Sequence, residues 1–222
     1  MHYKIEDEKE VIVKSEYAAK SILQQSNWLL EWINELPQSS VILDYGCGKL
    51  RYTIPLLNRV KEVIAVDSKE QINRTQKLDR VNHLTITDFA EEEDNLSVFT
   101  TDEFDMANYF DWAICTNVLS AIPYEEERVN VLTTIRKALK FEGKALITTQ
   151  YRNSYFKSYE SKKNAVKYKD GWLIKNNNNY SFYGIIPPSS LRDLCEKAGL
   201  KVIECRSVGE SAYLLIKNDE EN

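Results

Sequence analysis

VILDYGCGKLRYTIPLL, residues Val41–Leu57, is the stretch on which the fold turns. Three branched apolar residues run into an acid, Asp44, the chain bends through Gly46 and Gly48, and a helical pattern follows. A short, continuous, branched run of this kind reads as a strand buried on both faces. Gly46 can take the backbone angles of a sharp strand-to-helix turn, and Gly48 lets the chain lie against a ligand with no Cβ in the way. A dinucleotide fingerprint, G-x-G-x-x-G, would need its third glycine at position 51, and Arg51 stands there.

Outward from this turn the same grammar repeats. EVIAVD (62–67), HLTITDF (83–89), FDWAICTNV (110–118) and KALITTQ (144–150) read as further strands, and the first three candidate strands each reach an acid: Asp44, Asp67 and Asp88. EERVNVLTTIRKALK (126–140) is an amphipathic helix between the fourth and fifth strands. SEYAAKSILQQSNWLLEWINEL (15–36) spaces Ile22, Leu29 and Ile33 as one docking helix, stopped by Pro37. Strands alternating with helices imply a parallel sheet with right-handed crossovers, helices on both faces, and a ligand site outside the carboxyl ends of the strands. After a short helix ending near Gly199, KVIECRSVG and SAYLLIKN are separated by too few residues for a crossover, so they form a hairpin and one strand runs antiparallel. The expectation is a single α/β domain over 1–222 with a seven-stranded, mostly parallel sheet and a terminal antiparallel strand.

A net charge of −5 and a pI of about 5.3 leave no global field to hold the molecule on nucleic acid or an anionic membrane. Four scattered cysteines without C-x-x-C spacing and two histidines, His2 and His83, are too sparse for a metal site and read as reduced thiols. Cys47 and Cys115 fit small buried hydrophobes better than nucleophiles. MHYKIEDEKE is acidic with no apolar h-region, and no apolar run approaches membrane-spanning length, which places the protein in the cytoplasm, off the membrane.

DYGCGKL matches D/E-x-G-x-G-x-G up to its last position, Leu50. In this the chain resembles the class I S-adenosylmethionine-dependent methyltransferases, over roughly Val41–Asn218, and the resemblance implies a Rossmann-like sheet with S-adenosylmethionine as cofactor. It also implies site residues. The turn from Asp44 through Tyr45, Gly46, Cys47 and Gly48 would wrap the methionine and sugar, Asp67 with Ser68 the ribose hydroxyls, and Asp88 with Phe89 the adenine. Asn117, Val118 and Leu119, in NVLSAIP, match a run that lines the cofactor in small-molecule methyltransferases. Lys49 and Arg51 either meet the methionine carboxylate or are solvated. TNVLSAIPYEEERVNVL is more weakly similar to methyltransferases associated with DNA phosphorothioation. The implied chemistry is direct displacement, for which a protein need only align the nucleophile and exclude water.

The acceptor leaves fewer marks. The [DNS]-P-P-[YFW] run of base-modifying amino-methyltransferases is absent after the fourth strand, no histidine sits in the substrate region, and no catalytic residue is assigned. The insert Tyr151–Pro188 carries seven Lys or Arg against two acids between Arg152 and Lys175, about +5, interleaved with aromatics. It reads as a cap over the acceptor pocket with a hairpin around the asparagines, and Tyr151, Asn153, Trp172 and Tyr183 are its candidate substrate contacts. The acid-rich stretch Asp88–Asp111 reads as a solvated loop. The acceptor is a small molecule or nucleotide-like. Three other readings stay open: a nucleic-acid methyltransferase, as in bacterial defence; a non-catalytic cofactor-binding module; and a nicotinamide dehydrogenase, which Arg51 and the terminal hairpin oppose.

Overall fold

The computed structural model describes residues 2–5, 9–78, 82–152, 158–177 and 179–220. The chain opens with the antiparallel pair β1 (His2–Ile5) and β2 (Lys9–Ile12), then a 3₁₀ turn at Ser15–Ala18. Helix α1 (Asn27–Glu35) follows, then β3 (Val41–Tyr45), α2 (Thr53–Leu57), β4 (Glu62–Asp67), α3 (Lys69–Ile72), β5 (Gln76–Leu78), β6 (Asn82–Leu84), α4 (Ile86–Glu91), β7 (Leu96–Thr100) and β8 (Phe110–Thr116). The second half comprises α5 (Glu125–Ala138), β9 (Leu139–Gln150), β10 (Ala165–Tyr168), β11 (Gly171–Asn176), β12 (Asn179–Gly184), α6 (Pro188–Lys197), β13 (Lys201–Val208) and β14 (Ser211–Lys217).

Seven strands form the central sheet in the order β13-β14-β9-β8-β3-β4-β7. Pairing is parallel from β9 to β7, and β14 runs antiparallel to both its neighbours. The last strand of the chain thus slots between β9 and β13 rather than lying at the rim. The strands at the centre are buried on both faces, as their unbroken apolar runs require. One face packs Leu132, Ile135 and Ala138 of α5 and Leu191, Leu194 and Cys195 of α6; the other packs Leu29 and Ile33 of α1, Leu56 of α2 and Ile86 of α4.

Three expectations are corrected. The N-terminal helix does not run from Ser15 to Leu36: it begins at Asn27, where the Ser26 side chain accepts the Leu29 N–H. Upstream the backbone is tied to the glycine turn instead, through Gln25 Nε2 to the Arg51 carbonyl at 2.6 Å and the Ser26 N–H to the Tyr52 hydroxyl at 3.0 Å. HLTITDF is not the third core strand. Thr85 Oγ1 accepts the Asp88 N–H and Asp88 Oδ2 accepts the Thr85 N–H, both at 3.0 Å, a capping box that starts α4 and outweighs the strand preference of Thr-Ile-Thr. The third parallel strand is β7, inside the acid-rich stretch read as a solvated loop; it pairs with β4 from Val63↔Leu96 to Asp67↔Thr100.

In the insert, β11 and β12 form the expected hairpin and β10 adds a third strand. One face of this small sheet, with Leu173 and Phe182, packs on Val13 and Tyr124. The turn before β11 is locked to α5 by Arg128, whose Nη1 and Nη2 meet Asp170 at 2.5 and 2.9 Å.

Candidate functional site

A cavity of about 230 Å³ opens at the carboxyl ends of β3, β4 and β8. Its floor is the glycine turn. Gly46 has φ +78°, and a Cβ there would stand 2.1 Å from Val118 Cγ2, so no other residue fits. The Gly46 and Cys47 N–H groups bond the Val66 carbonyl at 2.7 and 3.2 Å, fastening the turn to β4. Gly48, at φ +61°, donates its N–H to Asp67 Oδ2 at 2.8 Å. Leu50 also sits in the left-handed region, at φ +58°, and its side chain is fully buried in the core face that holds Ile42 and Leu56. The backbone thus keeps the shape that a third glycine would take, and the leucine points away from the cavity.

The β4 side of the cavity is acidic and rich in carbonyls. Asp67 Oδ1 accepts the Ser68 N–H at 2.7 Å, and Ser68 caps α3 through the Gln71 N–H at 3.3 Å. Burial, only partly offset by these backbone N–H groups, raises the Asp67 carboxyl to about 6. Gln71 donates to the Gly48 carbonyl and to Gln76 Oε1, and its own Oε1 is buried with no partner among the described residues. Asp44, below the turn, accepts the Thr53 hydroxyl at 2.6 Å; burial lifts it to about 7. Thr101, beyond β7, donates its N–H to the Asp67 carbonyl and completes this wall.

Across the mouth runs the segment Ser15–Lys20. It is pinned at one end by the Lys14 N–H to the Tyr180 carbonyl at 2.7 Å, and Ala19 reaches the turn, its Cβ 3.6 Å from where a Cβ on Gly48 would lie. Lys20, Lys49 and Arg51 all line the cavity, so the last two are not merely solvated. Arg51 lies over the Tyr52 ring at 4.6 Å and donates to the Gln24 carbonyl. Burial first, then Arg51, lowers Lys20 to about 8, with Glu210 pulling the other way.

The β8 side is neutral. Asn117 has φ +64°, its N–H donates to the Thr148 carbonyl at 2.9 Å, and its Oδ1 is buried without a partner among the described residues. Val118, Ala121 and Ile122 supply apolar wall. Leu119 is fully buried behind that wall, and its carbonyl accepts Arg128 Nε at 3.1 Å.

The structure therefore brings together Asp44, Tyr45, Gly46, Cys47, Gly48, Asp67, Ser68, Asn117 and Val118. Asp88 and Phe89 stand apart from the cavity, because Asp88 is spent on the capping box of α4 and is exposed. Tyr151, Trp172 and Tyr183 also fail to line it: Tyr151 packs on the core, and Trp172 and Tyr183 pack with Tyr159 and Ile174 on the outer face of the insert. Asn153 lies outside the described residues. The sequence does not single out Gln71 and Thr101, although each follows a strand end by a few residues, and it hides Ser15–Lys20 inside an apparent helix whose start the structure replaces with a 3₁₀ turn at Ser15–Ala18. Burial pushes the Cys47 thiol well above its ordinary range, which suits a packing role. No group of three His, Cys, Asp or Glu that could hold a metal occurs among the described residues, and no helix there is long and apolar enough to cross a membrane.

The turn with no Cβ at its two glycines, a half-buried acid at the next strand end and two donor-seeking carbonyls suit a ligand carrying sugar hydroxyls and an amino-acid head. Residues 16–205 match the family model described as a methyltransferase domain. The chain is 32% identical over 207 residues to the uncharacterized protein YmfD of Escherichia coli K12, covering 93% of this chain and 92% of that protein. In fold it is similar to the PH0226 protein of Pyrococcus horikoshii, with a TM-score of 0.67 at 16% identity over 91% of this chain and 95% of that one. It is similar as well to 1,6-didemethyltoxoflavin-N1-methyltransferase of Burkholderia thailandensis, solved with bound 1,6-didemethyltoxoflavin and S-adenosylhomocysteine, with a TM-score of 0.61 at 16% identity over 92% and 81% of the two chains. With its glycine turn, its sheet order and its sequence match in agreement, the chain belongs to the methyltransferase-domain family, the S-adenosylmethionine-dependent enzymes that DYGCGKL resembles.

Proposed function

We propose that this methyltransferase acts on a small-molecule acceptor held in the cavity between Ser15–Lys20 and the loop Asn117–Ile122. The observation that carries the cofactor half of this reading is the Asp67 and Gln71 pair. The Gly48 and Ser68 N–H groups hold one Asp67 oxygen each, and Asp67 lines the cavity together with Gln71, whose Oε1 has no partner among the described residues. Together they offer acceptors to two neighbouring hydroxyls of a ribose, each such bond to a charged carboxylate contributing about 1.5–3 kcal/mol. Lys20, Lys49 and Arg51 line the cavity as partners for a carboxylate, and Asp44, which burial raises to about 7, would be drawn to its charged form by a ligand's ammonium.

S-adenosylmethionine supplies an activated methyl on a sulfonium. The protein's own share is to orient, to exclude water and to hold the acceptor in line. Ser15–Lys20 closes the mouth, and Val118, Ala121 and Ile122 make the acceptor side apolar, which suits a small molecule. Two of the insert's lysines lie over its own rings, Lys162 over Tyr159 at 4.5 Å and Lys167 over Trp172 at 5.3 Å, and its described residues stay off the cavity, so a nucleic-acid acceptor has less support.

Calorimetric titration with S-adenosylhomocysteine tests this reading, with NAD as control. Asp67→Ala should weaken binding at least tenfold, in line with the loss of about 1.5–3 kcal/mol. An Asp67→Ala protein that binds as tightly as the parent, or a parent that prefers NAD, refutes it. Labelled methyl recovered on DNA or RNA rather than on small molecules refutes the acceptor half.

A further inference from the structure

We propose, resting on the methyl-transfer reading above, that the acceptor is a small molecule of net negative charge and that the Lys20 ammonium, on the segment crossing the cavity mouth, binds its anionic group. Three cations line the cavity, Lys20, Lys49 and Arg51. The cofactor brings one carboxylate to them, along with an ammonium and a sulfonium of its own. Arg51 suits that carboxylate. It follows the glycine turn directly, its guanidinium is held over the Tyr52 ring at 4.6 Å and by the Gln24 carbonyl, and its planar fork matches two oxygens. Lys20 stands differently: it is half-buried, and its ammonium makes no hydrogen bond or ion pair among the described residues. Burial and the Arg51 charge lower it to about 8 while Glu210 pulls the other way, so an anion brought beside it restores a charge that the free protein disfavours.

Those charged neighbours also place the lysine. Glu210 sits in the turn between β13 and β14, where its carbonyl accepts the Tyr151 and Arg152 N–H groups at 3.1 and 3.2 Å, just past the end of β9. The ribose acceptors Asp67 and Gln71 lie at and after the end of β4, and the sheet then runs through β3, β8 and β9 to β14. Lys20 therefore acts between the glycine turn and the β9 and β14 ends, on the side of the turn away from the ribose. A cofactor held at β4 by its sugar and at Arg51 by its carboxylate leaves that side to the acceptor. The cavity's acids are engaged elsewhere: Glu16 and Asp67 lie within reach of each other's charge on the β4 side, and Asp44 is bonded to Thr53 beneath the turn.

The approach to the mouth carries the same sign. The chain is −5 overall, yet its insert holds seven Lys or Arg against two acids between Arg152 and Lys175. That insert adjoins the mouth. Val13 and the Lys14 N–H pair with Tyr180 of β12, and β12 packs on the 3₁₀ turn Ser15–Ala18. Arg152, exposed over the Tyr151 ring at 5.5 Å, stands next to the turn that carries Glu210. A local positive field on an acidic protein draws small anions to the opening and turns cations away. The basic insert thus serves the acceptor from outside the cavity, by steering, and Lys20 serves it inside, with Val118, Ala121 and Ile122 as apolar wall for its body.

Deproteinised small-molecule extract is split on an anion exchanger at mildly alkaline pH into a retained, anionic fraction and a flow-through. Each is incubated with methyl-labelled S-adenosylmethionine and the full-length protein, and labelled product is resolved from the cofactor and counted. Affinity for S-adenosylhomocysteine and for 5′-methylthioadenosine, which lacks the amino-acid head, is measured in parallel by calorimetry. Expected is product from the retained fraction at about tenfold or more above the flow-through. At limiting retained fraction Lys20→Gln should label about tenfold more slowly and recover as that fraction is concentrated, a KM effect, while Lys20→Arg, which keeps the charge, stays within about threefold of the parent. Affinity for both ligands should be unchanged in either variant. Product from the flow-through alone, or Lys20→Gln labelling as fast as the parent, overturns the inference and leaves the transferase reading standing. Loss of S-adenosylhomocysteine affinity but not 5′-methylthioadenosine affinity in Lys20→Gln assigns the lysine to the cofactor's carboxylate and overturns it as well. No labelled product from a protein that binds both ligands overturns the transferase reading and this one with it.

Discussion

Replacing Leu50 by glycine would complete the D-x-G-x-G-x-G pattern, and the structure says that this repair weakens the protein. At φ +58° the leucine bears about 1–2 kcal/mol of left-handed strain, which glycine would relieve. Against this stands a side chain with no exposed surface, packed in the core face beneath β3. Truncating such a leucine to alanine costs about 2–5 kcal/mol. Going on to glycine removes a further methyl, about 0.8 kcal/mol, and adds chain entropy of about 0.5–1 kcal/mol, so at an ordinary backbone Leu50→Gly would lie roughly 1.5 kcal/mol below Leu50→Ala. Here the relieved strain offsets that deficit, and the two variants should melt at nearly the same temperature. Both should melt roughly 5–15 °C below the parent, at about 2–4 °C per kcal/mol for a chain this size. Differential scanning calorimetry reads both quantities. Since Leu50 does not line the cavity, affinity for S-adenosylhomocysteine should stay within about threefold at a temperature where each variant is folded. A Leu50→Gly protein that keeps the parent's melting temperature and binds the ligand tenfold more tightly would show that the leucine obstructs the site, and the argument from its burial would fall.

Gly46→Ala should abolish binding or folding, since its methyl would sit 2.1 Å from Val118 Cγ2 at φ +78°; pairing it with Val118→Ala should recover part of the loss by calorimetry. Asp88→Ala should leave ligand affinity unchanged and, with the capping box broken, lower stability slightly in denaturant melts; a loss of affinity would return Asp88 to the cofactor site. Asp170→Asn leaves the buried Arg128 guanidinium short of its carboxylate, at a cost of about 1–3 kcal/mol because Asp170 is 40% exposed, and amide exchange over 117–122 should quicken since Arg128 also holds the Leu119 and Ile122 carbonyls. Burial raises Asp44 to about 7 and Asp67 to about 6, so folding takes up protons there. Their contribution to stability is fully present below the ordinary carboxyl value of 3.8 and is lost as the pH rises through about 6 and about 7, which urea melts across that window would read. A ligand bearing a sulfonium and an ammonium draws both carboxyls back down, so S-adenosylmethionine should bind more tightly as pH climbs from about 6 to 8 while neutral 5′-methylthioadenosine changes little.

Reading failed where tertiary contacts, rather than local pattern, choose the backbone. The parallel strands β3, β4 and β8 were legible because burial on both faces demands unbroken apolar runs, and Gly46 and Asp67 because a turn against a ligand admits few residue types. HLTITDF deceived because two local signals compete in it, and the reciprocal Thr85–Asp88 bonds outweigh the β-branched residues. The expected role of its acid depends on its ending the third strand, so one misplaced strand carries Asp88 and Phe89 with it and hides β7, whose LSVFT sits among acids that read as loop. The N-terminal stretch shows the same effect at larger scale. Nothing in SEYAAKSILQQ breaks a helix locally; its backbone leaves the helix because Lys14, Gln25 and Ser26 are bonded to Tyr180, the Arg51 carbonyl and Tyr52, groups distant in the chain. Those bonds draw Ser15–Lys20 across the cavity, the place expected of the basic insert. The insert instead sits behind the loop that carries Asn117, joined to it through Arg128, whose Nε holds the Leu119 and Ile122 carbonyls while its far nitrogens hold Asp170. The insert also packs on that loop directly, where a Cβ on Gly184 of β12 would stand 3.4 Å from the Ser120 carbonyl, so a change in the insert reaches the cavity wall by contact as well as through the guanidinium.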